Sequence, residues 1–168
     1  MVRLIICATL LELILSGVSV AQQTEDTSQS GTAVCNLDDG KQITVRYNQI
    51  AVRGDGPPTG KVLVPGGAAV TLFTETDLIV GGTQVSTGAY TMYFIPKKKE
   101  WTLIVSRNVN VGAQYDEKQD LARTSMETGT LGRPEPQLRI SFGHVAPKQC
   151  EIDVDYGKIR AWGTFQQR

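Results

Sequence analysis

An all-β fold is expected, an antiparallel β-sandwich or jelly-roll-like domain with at most one short helix. Apolar residues recur with period two in short runs, the spacing that places one face of a strand on a core. Glycine, proline and aspartate clusters separate those runs at close intervals. Sustained period-3.6 stretches, which a βαβ fold would require, do not appear between them.

Residues 1–21 read as an address rather than as part of that fold. Met1-Val2-Arg3 is a short positive start, residues 4–15 are mostly apolar, and Ser19-Val20-Ala21 places small residues before a cleavage point. Glu12 interrupts the apolar run and weakens insertion. An uncleaved anchor over residues 4–20 would be 17 residues long, short of the roughly 20 that span a bilayer. Cys7 lies too early for a lipoprotein cysteine. Cleavage after Ala21 leaves 168 − 21 = 147 residues, exported to the periplasm or the cell exterior with no stable membrane span. Residues 22–32 are polar and aperiodic, a flexible lead-in to a single β domain over residues 33–168.

Within that domain the alternating runs are Ile43, Val45 and Tyr47; Val70 and Leu72; Tyr90, Met92 and Phe94; Trp101, Leu103 and Val105; and Leu138, Ile140 and Phe142. Turns fall at Asp38-Asp39-Gly40, Gly54-Asp55-Gly56-Pro57-Pro58, Gly66-Gly67, Gly81-Gly82, Pro96 with its lysines, and Gly143. Residues 115–122 are the one place for a short helix, with Asp116 as its cap. At the carboxyl end, a two-residue turn at Tyr156-Gly157 would set Asp155 opposite Lys158, Asp153 opposite Arg160, and Glu151 opposite an exposed Trp162. Tyr-Gly is not the favoured turn dipeptide, which leaves a longer loop open.

Cys35 and Cys150 remain after cleavage. An even count in an exported chain points to a disulfide, and each cysteine shares parity with apolar neighbours that face the core. Two buried free thiols are the alternative.

Charge excludes more than it selects. Lys+Arg and Asp+Glu are 17 each, giving a net charge of zero, so neither nucleic acid nor an anionic membrane surface is an expected partner. One histidine and three cysteines leave little for a transition-metal site, and no cofactor is expected. His144 lacks a nucleophile elbow and reads as a turn histidine. Asp116, Glu117 and Asp120 form the densest carboxylate group outside the terminal segment. A helix cap plus an Asp120–Arg123 pair explains them most simply, with a hard-cation site or half of a glycosidase pair as the sharper readings. Glu151, Asp153 and Asp155 read as a solvated strand face. Lys97-Lys98-Lys99 reads as a solvated hairpin loop that also discourages edge pairing, with a polyanion contact as its alternative. Tyr90, Tyr93, Trp101 and Trp162 suit the core better than a sugar platform, since Tyr90 and Tyr93 have opposite parity.

Several motifs occur together in order. Residues 77–96, DLIVGGTQVSTGAYTMYFIP, precede the strand that Trp101 leads; Asp39-Gly40-Lys41 with Tyr47, Arg53-Gly54 and Leu63-Val64-Pro65 come before; Tyr115-Asp116, Asp120-Leu121, Arg123 and Met126 follow. In these the chain resembles an exported bacterial family, domain-of-unknown-function family 2911. The resemblance implies a compact, mostly β, exported domain and carries no activity. One departure stands out: where the family has Tyr-Gly, Trp-Arg and Gly-Ala-Asn, Pro65 is followed here by Gly66-Gly67-Ala68-Ala69. The chain thus reads as a divergent member without that polar-aromatic segment.

The expected function is a non-catalytic binding or structural module of the bacterial envelope, with a glycan or an envelope protein as partner. Its rival is a hydrolase-like or cation-dependent enzyme using the Asp116/Asp120/Arg123 region. Tyr115, Asp116, Asp120, Arg123 and His144 are the candidate binding residues, with no catalytic residue assigned.

Overall fold

Strands dominate the computed structural model of the chain, which describes residues 29–52, 56–109 and 114–168. They are β1 Gln29–Asn36, β2 Gln42–Gln49, β3 Val70–Thr74, β4 Leu78–Val80, β5 Thr83–Val85, β6 Gly88–Ile95, β7 Trp101–Ser106, β8 Asp120–Ala146 and β9 Gln149–Gln167. All pair antiparallel, in the order β1-β2-β3-β6-β7-β8-β9-β4-β5. The proposed signal segment and residues 22–28 lie outside the described residues. Residues 29–32, expected to belong to a lead-in, are instead the start of β1, where Gly31 pairs with Tyr47. That close pairing needs glycine, because a Cβ on residue 31 would lie 2.4 Å from the Tyr47 ring.

β8 converts a row of strands into a sandwich. Its residues 120–126 pair with β7, and from Glu127 onward it pairs with β9. A strand this long serves two layers by changing its neighbour. Beyond the change, β8 lies across the core from β1, and the Tyr47 hydroxyl donates to the Ile140 carbonyl at 3.2 Å. Ile43, Val45, Leu72, Met92, Phe94, Trp101, Leu103, Leu138 and Ile140 are buried in one cluster, as their alternation requires. Cys35 of β1 and Cys150 of β9 are disulfide-bonded, with Cα atoms 6.4 Å apart, and tie the first strand to the last. At Gly81-Gly82 a two-residue turn joins β4 to β5 with φ of 55° and 80°, the left-handed values of a hairpin turn.

Two expected elements differ. The helix over residues 115–122 is a single 3-10 turn, Glu117–Gln119, before β8 takes over at Asp120; Asp116 does cap it, accepting from the Lys118 amide. The turn at Tyr156-Gly157 does not exist. β9 runs straight through, and the reversal comes between Ala146 and Gln149. Gly157 has φ of 60° but uses it inside an irregular stretch, where residues 131–134 of β8 bulge opposite Lys158. Asp153 therefore faces Ser141 rather than Arg160, and Glu151 faces Gly143. Trp162 is half-buried opposite Glu127. The chain after β2 fills part of the break: the Val52 amide donates to the Pro136 carbonyl, and the Leu138 amide to Ile50.

Candidate functional site

A well-formed concavity lies where β8 changes partners. Trp101, which opens β7, pairs with Met126 and is buried at the base of a cleft of about 560 Å³. Pro96, Lys97 and Lys98 form one wall, Gly56, Pro57 and Thr59 a second, and Thr128, Gly129, Thr130 and Ile159 a third. Each wall is fixed by its backbone. The Gly60 amide donates to the Pro96 carbonyl at 2.7 Å, and the Thr128 hydroxyl to the Lys99 carbonyl at 2.9 Å. Gly129 lets the Trp162 ring lie alongside, since a Cβ there would come within 3.1 Å of it. The lining is mixed: two ammonium groups, three threonines and apolar proline and isoleucine surface. Such a mixture suits a ligand that presents both polar groups and C–H faces.

Of the five candidate residues read from the sequence, the structure brings together three. The Tyr115 hydroxyl donates to Asp120 Oδ2 at 2.9 Å and accepts from Arg123 Nη2 at 2.8 Å. Arg123 also reaches Asp120 Oδ2 through Nε at 2.8 Å and Glu117 through Nη1 at 3.2 Å. Tyr93, pointing outward from β6, meets the Tyr115 ring edge-on with centroids 5.0 Å apart. Burial and the hydrogen bond to Asp120 push the Tyr115 hydroxyl up to about 12, so at neutral pH it is a donor and not a base. Asp120 Oδ1 is buried without a hydrogen-bond partner. Asp116 stays apart as the cap of the 3-10 turn. Apart from Asp120 Oδ1, the arrangement is closed on itself, its polar contacts made within the trio and to Glu117.

His144 does not join that group. Its Nε2 lies 3.3 Å from Asp38 Oδ1 at the β1–β2 turn, both side chains substantially exposed. Among the described residues no group of three or more histidine, cysteine, aspartate or glutamate side chains is placed to hold a metal ion.

The acidic stretch of β9 departs from a solvated face. Asp155 is fully buried and receives four guanidinium contacts: Arg139 Nε at 3.3 Å and Nη2 at 2.8 Å, Arg160 Nε at 2.7 Å and Nη2 at 2.9 Å. Burial pushes its carboxyl up, but the hydrogen bonds and charges of Arg160 and Arg139 outweigh this and hold it below the ordinary value. Asp153 and Glu151 lack such bonds, and burial raises both. The Asp155 pair of arginines holds β9 beside Ile159, and so supports one wall of the cleft. Reading by strand parity missed this, because the irregular pairing around Tyr156 buries Val154, Asp155 and Tyr156 consecutively.

Sequence reasoning read Lys97 and Lys98 as a solvated loop, with a polyanion contact as the alternative. It gave no signal that residues 56–59 and 128–130 would meet them, which depends on long-range pairing. Among the described residues no helix is long and apolar enough to cross a membrane. The family described as Protein of unknown function (DUF2911) matches residues 28–163. No curated protein and no solved structure matches the chain.

Proposed function

This chain belongs to the family Protein of unknown function (DUF2911), and from that premise we propose that it is an exported, non-catalytic binding module of the bacterial envelope whose ligand sits in the cleft above Trp101. The observation that carries the reading is the convergence of four separate chain segments on one concavity with a mixed polar and apolar lining. The Cys35–Cys150 disulfide fits an oxidising compartment, which with the amino-terminal address supports export to the periplasm or beyond. The rival enzyme would use the Asp116/Asp120/Arg123 region. That region has its charges paired internally and places His144 elsewhere, so it has less to offer a substrate than the cleft has to offer a ligand.

A thermal-shift panel on the oxidised protein tests the proposal, with neutral and acidic cell-wall glycans and with Ca²⁺ and Mg²⁺ with and without chelator. Ligand at 100 times its Kd raises stability by about 2.7 kcal/mol. The binding reading expects a glycan-dependent shift that disappears in Thr130→Trp, which fills the cleft from an exposed strand position. A shift that survives Thr130→Trp, or turnover of a glycan that Asp120→Ala abolishes, would move the site to the Tyr115 cluster and overturn the reading.

A further inference from the structure

We infer that the cleft selects a carboxylate-bearing saccharide; the inference rests on the cleft being the binding site, as proposed above. Size comes first. A cavity of about 560 Å³ lies within the range of small-ligand sites, roughly 300–1,000 Å³.

Charge narrows the class. Among the described residues, Lys97 and Lys98 are the charged side chains lining the cleft, and no carboxylate lines it. Arg123, Arg139 and Arg160 each lie against an acidic side chain, whereas neither cleft lysine has an acidic partner among the described residues. Two uncompensated ammonium groups on one wall favour an anion. The remaining lining narrows the anion. Thr59 and Thr130 offer hydroxyls, while Pro57, Pro96 and Ile159 offer C–H surface, the two kinds of contact a sugar ring makes with its edge and its face. An acyl chain would need a drier, more apolar lining. Lysine also meets phosphate as a point charge, so it is the hydroxyl and C–H lining that favours an acidic sugar over a free phosphate. Lysine is a mobile point charge on a long stem, suited to a carboxylate projecting from a ring whose position the other walls fix.

Calorimetric titration of the full-length oxidised protein with three probes decides the matter: an oligogalacturonate trimer, the same trimer methyl-esterified, and inorganic phosphate. The trimer is expected to bind, and its affinity to fall tenfold or more on esterification. A similar loss is expected in Lys97→Gln/Lys98→Gln, whose melting temperature should match the wild type because both side chains are exposed. Binding should weaken between 20 and 300 mM salt, as a contact between exposed charges must. Equal affinity for the ester overturns the charge inference while leaving a saccharide-binding module in place. Phosphate competing with the trimer on equal terms overturns the saccharide part. If none of the probes binds but the thermal panel finds a ligand that Thr130→Trp excludes, this inference alone fails. If that panel is flat as well, both readings fail.

Discussion

Replacing Asp155 by asparagine is expected to destabilise the fold by about 2–4 kcal/mol. The carboxylate is fully buried and accepts four contacts from two arginines between 2.7 and 3.3 Å. Removing one partner of a buried ion pair typically costs about 3–5 kcal/mol. The arginine side chains are 47% and 35% exposed, so water re-solvates them in the variant and lowers that figure. At about 3 °C per kcal/mol for a domain of this size, the melting temperature should fall by roughly 6–12 °C. The pH dependence gives a sharper test. The folded state holds the Asp155 carboxyl below its ordinary value of 3.8, so ionised Asp155 stabilises the fold above about pH 4. That contribution is lost as pH falls through the lowered folded value. Calorimetric melts from pH 7 to pH 2 should therefore show the gap between wild type and variant widest at neutral pH and closing in acid. Asp153→Asn is the matched control. Burial raises the Asp153 carboxyl, so its ionisation opposes folding, and the substitution should be neutral or mildly stabilising at pH 7. Equal melting of wild type and Asp155→Asn at pH 7, or a gap that stays constant down to pH 2, would refute the reasoning.

Other perturbations have equally definite outcomes. The Cys35–Cys150 link spans a sequence separation of 115, and loop-closure entropy for that length is about 4.8 kcal/mol; Cys35→Ala/Cys150→Ala should lower the urea midpoint by the equivalent of 2–5 kcal/mol, and an unchanged midpoint would contradict it. Gly31→Ala should cost about 1–3 kcal/mol, because the new methyl would lie 2.4 Å from a Tyr47 ring whose hydroxyl is bound to Ile140; an unfolding curve like that of wild type would show that the ring yields freely. Within the β4–β5 turn, Gly81→Ala should be far worse than Gly82→Ala. Both have positive φ, but only at Gly81 would a Cβ meet Thr124 at 2.6 Å and the Arg123 carbonyl at 2.8 Å, and equal melting temperatures would argue against the packing described. Absorbance titration of tyrosine should contain one component near the value of about 12 given by burial and the Asp120 hydrogen bond. Tyr115→Phe should remove it, and persistence of that component would assign it elsewhere.

The strands were legible because period-two alternation needs only local sequence and a single buried face. β2 fits that condition: Ile43, Val45 and Tyr47 go in, while Gln42 and Arg46 stay out. β7 strains it, since Ile104 is buried on the opposite face as well. Cys35 and Cys150 could be anticipated from their number and parity. The carboxyl-terminal pairing could not. A glycine with positive φ serves a hairpin or a bulge equally well, and only the distant bulge at residues 131–134 and the pairing of residues 50–52 with β8 decide which. The Tyr115–Asp120–Arg123 contacts span eight residues or fewer, so their proximity showed in the sequence. The cleft joins segments more than 25 residues apart, and no local pattern reports such a meeting.

The position of the cleft follows from the architecture itself. Up to Met126, β8 is held by β7; from Glu127 it is held by β9. At this handover β8 passes from its pairing with β7 to its pairing with β9, and residues 56–59 and 96–98 cover the corner that results. The Lys99 carbonyl turns to the Thr128 hydroxyl, and the Gly60 amide to Pro96. Trp101 closes the corner from below, at 1% exposure. The side chains above it, Lys97, Lys98, Thr59 and Thr130, carry none of the core packing. They can therefore determine what enters the cleft without affecting whether the sandwich folds, and the ligand preference of this corner should change by substitution there while the disulfide, the Asp155 lock and the Trp101 base stay as they are.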